Sequence, residues 1–375
     1  MNCVVLFGGP SCEHEVSIIS GCQLLQLLKD DCFIPVYFSK DRRFYSGERA
    51  GELQLYRQFE KVERVLEEVT FVKEGDGVYL KFKSPFMRKI KVDVVFPILH
   101  GHIGEDGRIQ GYFDTLGVPY CESSCESCAV VQNKSMMKKV LAYHDIDQVS
   151  WCDVYMEEVL LKPNQVIERI EKVTAPWIIK PAHGGSSIGI FFVDHQEDLL
   201  AVLMEALSFE SHLIVEHRLS DFKEVNIACV GDRDDVMVSL SEQVNQHGGL
   251  LSYEDKYGQS GNKGMEGLRR KCPADLDDGM KEWLETVAKE AFKACECSGV
   301  VRIDFMIEGD HLYLNEINAI PGSLAMYLFK GLISRKELVD RCIEIAFERK
   351  KRESLETHSI ESDILKQDFQ FGIKK

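Results

Sequence analysis

Two short segments place oxygen donors and a guanidinium at strand spacing. In Arg302-Ile303-Asp304-Phe305 and in Leu314-Asn315-Glu316-Ile317-Asn318, charged and amide side chains interrupt apolar runs. Residues two apart in a strand share a face, so Arg302 lies with Asp304, and Glu316 with Asn318. If the two strands are neighbours, Asp304, Glu316 and Asn318 converge as three hard ligands, a set that suits magnesium holding a polyphosphate. Arg302 on that face would neutralise a transferring phosphoryl group. The competing reading is a solvated strand face of mixed charge. The cost of burying unpaired charge within apolar strands favours a site.

KPAHGGSSIG, residues 180–189, offers a second piece of chemistry. A strand ends at Lys180, and glycines then let the backbone approach an anion while successive N–H groups cradle it. Lys180 supplies a point charge. The G-x4-G-K-[ST] order of a P-loop is absent, and the segment also reads as a Gly-rich hairpin with a surface lysine. GGPSCEHEVS, residues 8–17, opens a helix with Ser11, Glu13 and Glu15. Amides at a helix start favour an anion, and an acidic side chain there suits a substrate amine. Ordinary N-capping accounts for the same residues. His100, in LHGHIGEDGRIQG (99–111), stands at a strand end, where α/β folds place their sites; a lone histidine is more often structural. Cys121, Cys125 and Cys128 have the C-x3-C-x2-C spacing of a cluster-binding motif. No fourth thiolate follows at metal-ligand spacing, and three small side chains around a loop-to-helix junction are the preferred reading.

The elements that must position these residues follow from periodicity. CVVLF (3–7), a helical SIISGCQLLQLL and IPVYF read as strand, helix, strand, the opening of an α/β domain. Residues 50–92 are more polar and irregular, with a hairpin expected around GDGVYLKFK. VDVVFPILHG reads as another buried strand, and GRIQGYFDTLG as a helix ended by Gly117. Beyond it come the helix SMMKKVLAYHDI, strands PWIIKP and IGIFFVD around HGGSS, the helix EDLLAVLMEAL and the strand LIVEH. MKEWLETVAKEAFKAC is an amphipathic helix, and VVRIDFMIEGDHLYLNEIN two strands about a Gly-Asp turn. The stretch 245–270 is polar, Gly-rich and aperiodic, the mark of a lid, a binding loop or disorder. The expected division is 1–133, 134–213 and 214–345, with 346–375 a polar tail in which a terminal helix frays.

Composition limits the alternatives. A chain of 375 residues with 45% hydrophobic residues holds two or three cores. The formal net charge of −16 argues against a general nucleic-acid binder. No run approaches the ~18 apolar residues of a membrane span. MNCVVLFGGP lacks the basic n-region of a signal peptide. Thirteen cysteines in such a chain read as reduced thiols of a reducing cytoplasm.

Taken in order, GGPSCEHEVS, HG-x-x-GEDG-x-IQG, KPAHGGSSIG, YEDKY and RIDF followed by NEINAIPG resemble motifs of the D-alanine–D-alanine ligase family of the ATP-grasp superfamily, over almost the whole chain to about residue 345. The resemblance implies an α/β (α+β) ATP-grasp fold of three domains, the first Rossmann-like. It implies a cytoplasmic homodimer that joins two D-alanines at the expense of ATP, through an acyl phosphate, for peptidoglycan and cell-wall synthesis, without nucleic-acid or membrane partners. Carried over position by position, Glu13 would hold the first substrate's ammonium, and Ser186 and Tyr257 would link with it to close the lid. His100 would sit beside that substrate. Lys134, Lys180 and Lys256 would contact phosphates, and Glu216 and Glu224 the adenine amino group and ribose. Arg302 and the backbone of Gly322 would stabilise the tetrahedral intermediate. Asp304, Glu316 and Asn318 would hold two Mg2+ ions, with Mn2+ able to substitute. Two residues depart from the family pattern. Arg218 stands where an aromatic residue is frequent. Tyr327 stands where many members have a serine that binds the second substrate's carboxylate. Another second substrate, such as D-serine, D-lactate or a different amino acid, is therefore the alternative within the family. Tyr257 favours an amine acceptor, because the depsipeptide-forming branch generally lacks it. A catalytically silent scaffold fits poorly with an intact Arg302, Asp304, Glu316 and Asn318 set.

Overall fold

The computed structural model describes residues 1–28, 32–83, 88–185, 187–244, 270–357 and 359–362. Seven strands make the first sheet: β1 (Cys3–Gly8), β2 (Phe33–Phe38), β3 (Phe44–Ser46), β4 (Glu67–Glu74), β5 (Gly77–Phe82), β6 (Lys89–Val92) and β7 (Val94–Leu99). Their order is β6-β5-β4-β3-β2-β1-β7. β1 is buried along its whole length and lies between β2 and β7 in parallel, as its unbroken apolar run requires. The parallel core is thus the Rossmann-like part. The polar stretch after residue 50 is more regular than its composition suggests, because β4, β5 and β6 extend the sheet as an antiparallel meander.

Helix α1 (His14–Leu28) packs on β1 through Gly21, where a β-carbon would fall 2.5 Å from Phe7 Cβ. Helix α2 (Arg108–Leu116) ends at left-handed Gly117, whose N–H returns to Phe113 and Asp114. Helices α3 (Cys125–Gln132) and α4 (Lys134–Tyr143) are capped by Ser124 and Asn133. The CESSCESC thiols part company here. Cys121 packs into the core beneath β1, Cys128 into a second core, and Cys125 opens α3.

The second sheet is antiparallel, in the order β10-β9-β11-β8: β8 (Trp151–Tyr155), β9 (Trp177–Pro181), β10 (Phe191–Val193) and β11 (His212–His217). Helix α5 (Leu199–Ala206) covers it. The third sheet holds β12 (Lys223–Asp232), β13 (Asp235–Val238), β14 (Glu242–Val244), β15 (Arg270–Lys271), β16 (Ser298–Glu308) and β17 (His311–Asn318). Its main path is β15-β14-β12-β16-β17, with β13 on β12. Alternation gives this sheet two apolar jobs. Val225, Ile227, Ile303 and Phe305 face α4 and helix α6 (Asp278–Ala294), whereas Ala228, Val230 and Val300 join the core of the first sheet.

Helix α7 (Arg335–Glu353) starts with a Ser334–Glu337 capping box and lays Leu338, Val339, Cys342 and Ala346 into that same core. It runs through the boundary expected at 345/346, because its apolar stripe continues past it. The boundary expected at 213/214 likewise falls inside β11, which sheet pairing carries to His217. No described helix is long and apolar enough to cross a membrane.

The α1–β1 contact is testable. Alanine at Gly21 gains up to about 1 kcal/mol of helix propensity, but overpacking against Phe7 costs about 1–3 kcal/mol. Urea unfolding of Gly21→Ala should show a net loss of stability; a more stable variant would contradict the packing described.

Candidate active site

The polar face of the third sheet is organised in rows. Register places Glu242, Asn226, Asp304 and Glu316 side by side across β14, β12, β16 and β17. The next row holds Ala228, Arg302 and Asn318. Arg302 grips both Asp304 oxygens, Nε to Oδ1 and Nη2 to Oδ2, each at 2.7 Å. Asn318 Nδ2 donates to Asp304 Oδ2 at 3.1 Å. The three oxygen-bearing residues read from the sequence are therefore together. Register shifts between Asp304 and Phe305, so that Glu316 pairs with Asp304 and Leu314 with Phe305. The extra residue is Asn315, and the shift lets Asn315 and Glu316 both line the cleft. Strict alternation hides Asn315. The signal lies in the apolar residues, whose buried parity changes from Leu312 and Leu314 to Ile317.

Lys180, at the end of β9, reaches the same cleft. Its Nζ donates to Glu216 Oε2 at 2.6 Å and to Asn315 Oδ1 at 3.3 Å. The other Glu216 oxygen lies 2.9 Å from Lys138 Nζ. Glu216 and Lys138 are both buried. Burial pushes the Glu216 carboxyl up, but Lys138 and Lys180 outweigh it and hold it down at about 2. Burial pulls Lys138 and Lys134 below the usual lysine range. Glu216 was expected to meet adenine. Here both its oxygens are engaged by lysines and it stands behind Lys180, so it serves as that lysine's anchor. Lys138 was not singled out in the sequence, where it is one residue of an amphipathic helix. Lys134 Nζ donates to Gly184 O. Gly184, Gly185 and Ser187 line the cleft beside both lysines. Arg218 pairs with Asp194 and lies 5.4 Å from the Phe192 ring centroid. Glu224 lines the cleft from β12.

The first domain closes the other end. His100 is buried, its Nδ1 2.9 Å from Ile320 O and its Nε2 3.0 Å from Ser20 Oγ. Burial pulls its pKa to about 4, so the ring is neutral. A consistent tautomer donates from Nδ1 to Ile320 O and accepts the Ser20 hydroxyl at Nε2, while Ser20 Oγ accepts Ser323 N–H at 3.3 Å. Glu105 accepts Gly101 N–H at 2.6 Å and Ile320 N–H at 3.4 Å. Burial, with Glu13 adding to it, pushes the Glu105 carboxyl up to about 8. Glu105 escaped the residue-by-residue reading although it stands in the quoted GEDG. Gly101 is left-handed, and a β-carbon there would meet Glu13 Oε2 at 2.8 Å. A β-carbon on Gly185 would lie 3.6 Å from the same oxygen, so Glu13 spans from the turn before α1 towards the KPAHGGSS loop. Gly322 lines the cleft just beyond this junction. Ser186, Lys256 and Tyr257 lie outside the described residues.

A cleft between two antiparallel sheets, with Lys180 of one and Lys134 of α4 lining it together with an arginine–carboxylate–amide set on the other, defines an ATP-grasp protein. Residues 2–123 match the family described as D-ala D-ala ligase N-terminus, and residues 140–342 that described as D-ala D-ala ligase C-terminus. The D-alanine--D-alanine ligase of Thermosipho melanesiensis is 32% identical over 98% of this chain and 98% of its own. That of Staphylococcus epidermidis is 30% identical over 93% and 95%. Among solved structures, the VanG D-Ala:D-Ser ligase of Enterococcus faecalis aligns with a TM-score of 0.78 at 27% identity, covering 92% of this chain and all of that one. The D-alanine-D-alanine ligase of Coxiella burnetii gives 0.79 at 24% identity, over 95% and 96%. The chain belongs to the D-alanine–D-alanine ligase family.

Removing Glu216 tests the anchor. With a folded pKa depressed from 4.5 to about 2, its contribution is present above pH 4.5 and is lost as pH falls towards 2. Glu216→Gln leaves two buried lysines without their counter-charge and should cost about 3–5 kcal/mol at neutral pH. Unfolding titrations between pH 2 and 6 should show a shallower pH dependence in the variant. Equal slopes would show that the carboxylate is not held by the lysines.

Proposed function

We infer that this protein is an ATP-dependent D-alanine–D-alanine ligase. The observation that carries the reading is the cleft in which Lys134 and Lys180 face Arg302, Asp304, Glu316 and Asn318. A carboxylate is a poor electrophile. Transfer of the γ-phosphoryl of ATP to the first D-alanine's carboxylate oxygen gives an acyl phosphate and ADP. The second D-alanine, after losing a proton from its ammonium, attacks the acyl carbon; the C–O bond to phosphate breaks and the amide forms.

Lys180 and Lys134 bind phosphate oxygens, and the glycine backbone at 184–185 lies close enough to add N–H donors. Glu13 takes the first substrate's ammonium at the end of α1. Arg302 and the Gly322 N–H stabilise charge on the acyl oxygen. His100, being neutral, positions the turn and does not add charge. Glu224 faces the nucleotide's ribose, and Glu216 acts through Lys180.

Asp304, Glu316 and Asn318 fit a hard divalent cation, because all three offer oxygen donors on adjoining strands. Charge balance points the same way. Lys180 is already neutralised by Glu216 and Arg302 by Asp304, so a polyphosphate entering the cleft needs added positive charge. Magnesium bound there, as two ions, would neutralise charge on the phosphates. The reading places the enzyme in the cytoplasm as a homodimer supplying peptidoglycan precursors.

Purified protein with D-alanine, ATP and magnesium should release ADP and phosphate and yield D-alanyl-D-alanine by mass spectrometry. Glu316→Ala removes a ligand worth several kcal/mol of charge stabilisation, so turnover should fall on the order of 100-fold or more. Turnover near that of the unchanged protein would remove Glu316 from the metal site.

A further inference from the structure

The row that carries Asp304 and Glu316 continues two strands away to Glu242, about 10 Å from Asp304 at sheet spacing. Glu242 is buried, and the hydroxyl of Tyr327 donates to its Oε2 at 2.8 Å. Arg270, on β15 next to Val244, sends Nη1 to Tyr327 Oη at 3.3 Å and to both Glu242 oxygens at 3.4 Å. Tyr327 is therefore committed to Glu242 and Arg270, and its hydroxyl is not presented to a ligand as a serine's would be.

Cations of this cleft differ in how firmly they are engaged. Lys134 donates to Gly184 O, Lys180 sits 2.6 Å from Glu216, and Arg302 holds Asp304 through two bonds of 2.7 Å. Arg270 lines the cleft through contacts of 3.3–3.4 Å, and its buried Nε has no hydrogen-bond partner among the described residues. Its strand, β15, is also at the opposite edge of the sheet from β17, whose Asn315 meets Lys180. Between Glu242 and Asp304 lies Asn226, a cleft-lining residue only 5% exposed whose Oδ1 is likewise without a partner among the described residues. An orphan donor on β15 and an orphan acceptor on β12 thus flank β14, the strand that carries Glu242. An α-amino acid, with its carboxylate two bonds from its nitrogen, carries the complementary pair.

We propose that Arg270, oriented by Glu242 and Tyr327, is the carboxylate anchor for the second amino acid, with Asn226 Oδ1 receiving an N–H of its attacking nitrogen. This rests on the ligase reading. Arg270 is a specificity-determining residue: a free α-carboxylate on the acceptor is selected by charge, in a pocket where Tyr327 supports the guanidinium and does not touch the substrate. Acceptors that keep the carboxylate but change the side chain modestly, such as D-serine, share this recognition. D-alaninamide, which keeps the amine and loses the charge, does not.

The test separates the two half-reactions. Hydroxylamine intercepts the acyl phosphate and reports the first; dipeptide formation against varied acceptor reports the second. In Arg270→Leu, the KM for the second D-alanine should rise at least tenfold, while D-alanyl hydroxamate forms within about threefold of the unchanged rate. Discrimination between D-alanine and D-alaninamide as acceptors should largely disappear. Arg270→Lys, which keeps a point charge, should recover part of the acceptor affinity, and it guards against misfolding of the leucine variant. Tyr327→Phe should raise the acceptor KM less than Arg270→Leu. An unchanged acceptor KM in Arg270→Leu, or a hydroxamate rate that falls in parallel with dipeptide formation, would overturn the proposal while leaving the ligase reading intact. A wild-type protein that forms neither hydroxamate nor dipeptide would sink both.

Discussion

Ile320 lies in the turn after β17, and the first domain takes both of its backbone polar atoms. Its C=O accepts from His100 and its N–H donates to Glu105. Ser20 extends the junction to Ser323. The groups that must act together come from separate bodies: Glu13 from the turn before α1, Lys180 from the second sheet, and Arg302, Asp304 and Glu316 from the third. Only a stiff joint between the first domain and the third sheet keeps the first-substrate end at a fixed distance from the phosphoryl end. The joint is built from neutral His100 and a Glu105 whose pKa is raised to about 8, so at neutral pH it brings little formal charge into a crowded acidic corner. Apolar packing reinforces it, since Leu324, Ala325 and Leu328 sink into the core shared by β1, α1 and α7. That burial offsets the left-handed backbone at Ser323, Leu324 and Ala325.

Charge in the cleft is arranged as pairs before any ligand enters. Glu216 holds Lys180 and Lys138, Asp304 holds Arg302, and Glu242 holds Arg270. Each pair fixes a flexible cation in one geometry and limits its repulsion from its neighbours. The consequence is selectivity by partner strength. A phosphate or carboxylate succeeds only where it offers a cation more than the resident carboxylate already does. The pairing is tight around Lys180 and Arg302 and loose around Arg270, so the three cations respond differently to a small, singly charged ligand.

Much of this was legible because strand periodicity is strict. Arg302 with Asp304, and Glu316 with Asn318, share a face by parity alone, and the structure brings them into adjoining rows. Asn315 was illegible by the same rule, since a register shift breaks the parity on which the rule depends. The lysine partners of Glu216 were not legible, because they come from β9 and α4 and no local pattern announces a buried pair. The outline of α7 exceeded its expected limit because its polar residues dominate composition, while the few apolar ones, Cys342, Ile343 and Ala346, decide its packing. The expectations for Ser186, Lys256 and Tyr257 stay where the sequence left them, outside the described residues.

The acceptor end shows why a single departure from a family pattern is hard to interpret alone. Tyr327 in place of a smaller hydroxyl looks like an obstruction when read by itself. In the structure its ring is half-buried beside apolar core residues and its hydroxyl bridges two residues distant in sequence, Glu242 and Arg270. A tyrosine without Glu242 would leave a hydroxyl in a poorly solvated site lacking an acceptor, and Glu242 without Arg270 would leave a buried carboxylate without a counter-charge. The three residues therefore make sense only together. The hydrogen bonds that join them are distinct from those of the Lys180–Glu216 and Arg302–Asp304 pairs, so the acceptor end is built as a unit of its own, coupled to the phosphoryl-transfer end through the charge of Arg302 near Tyr327.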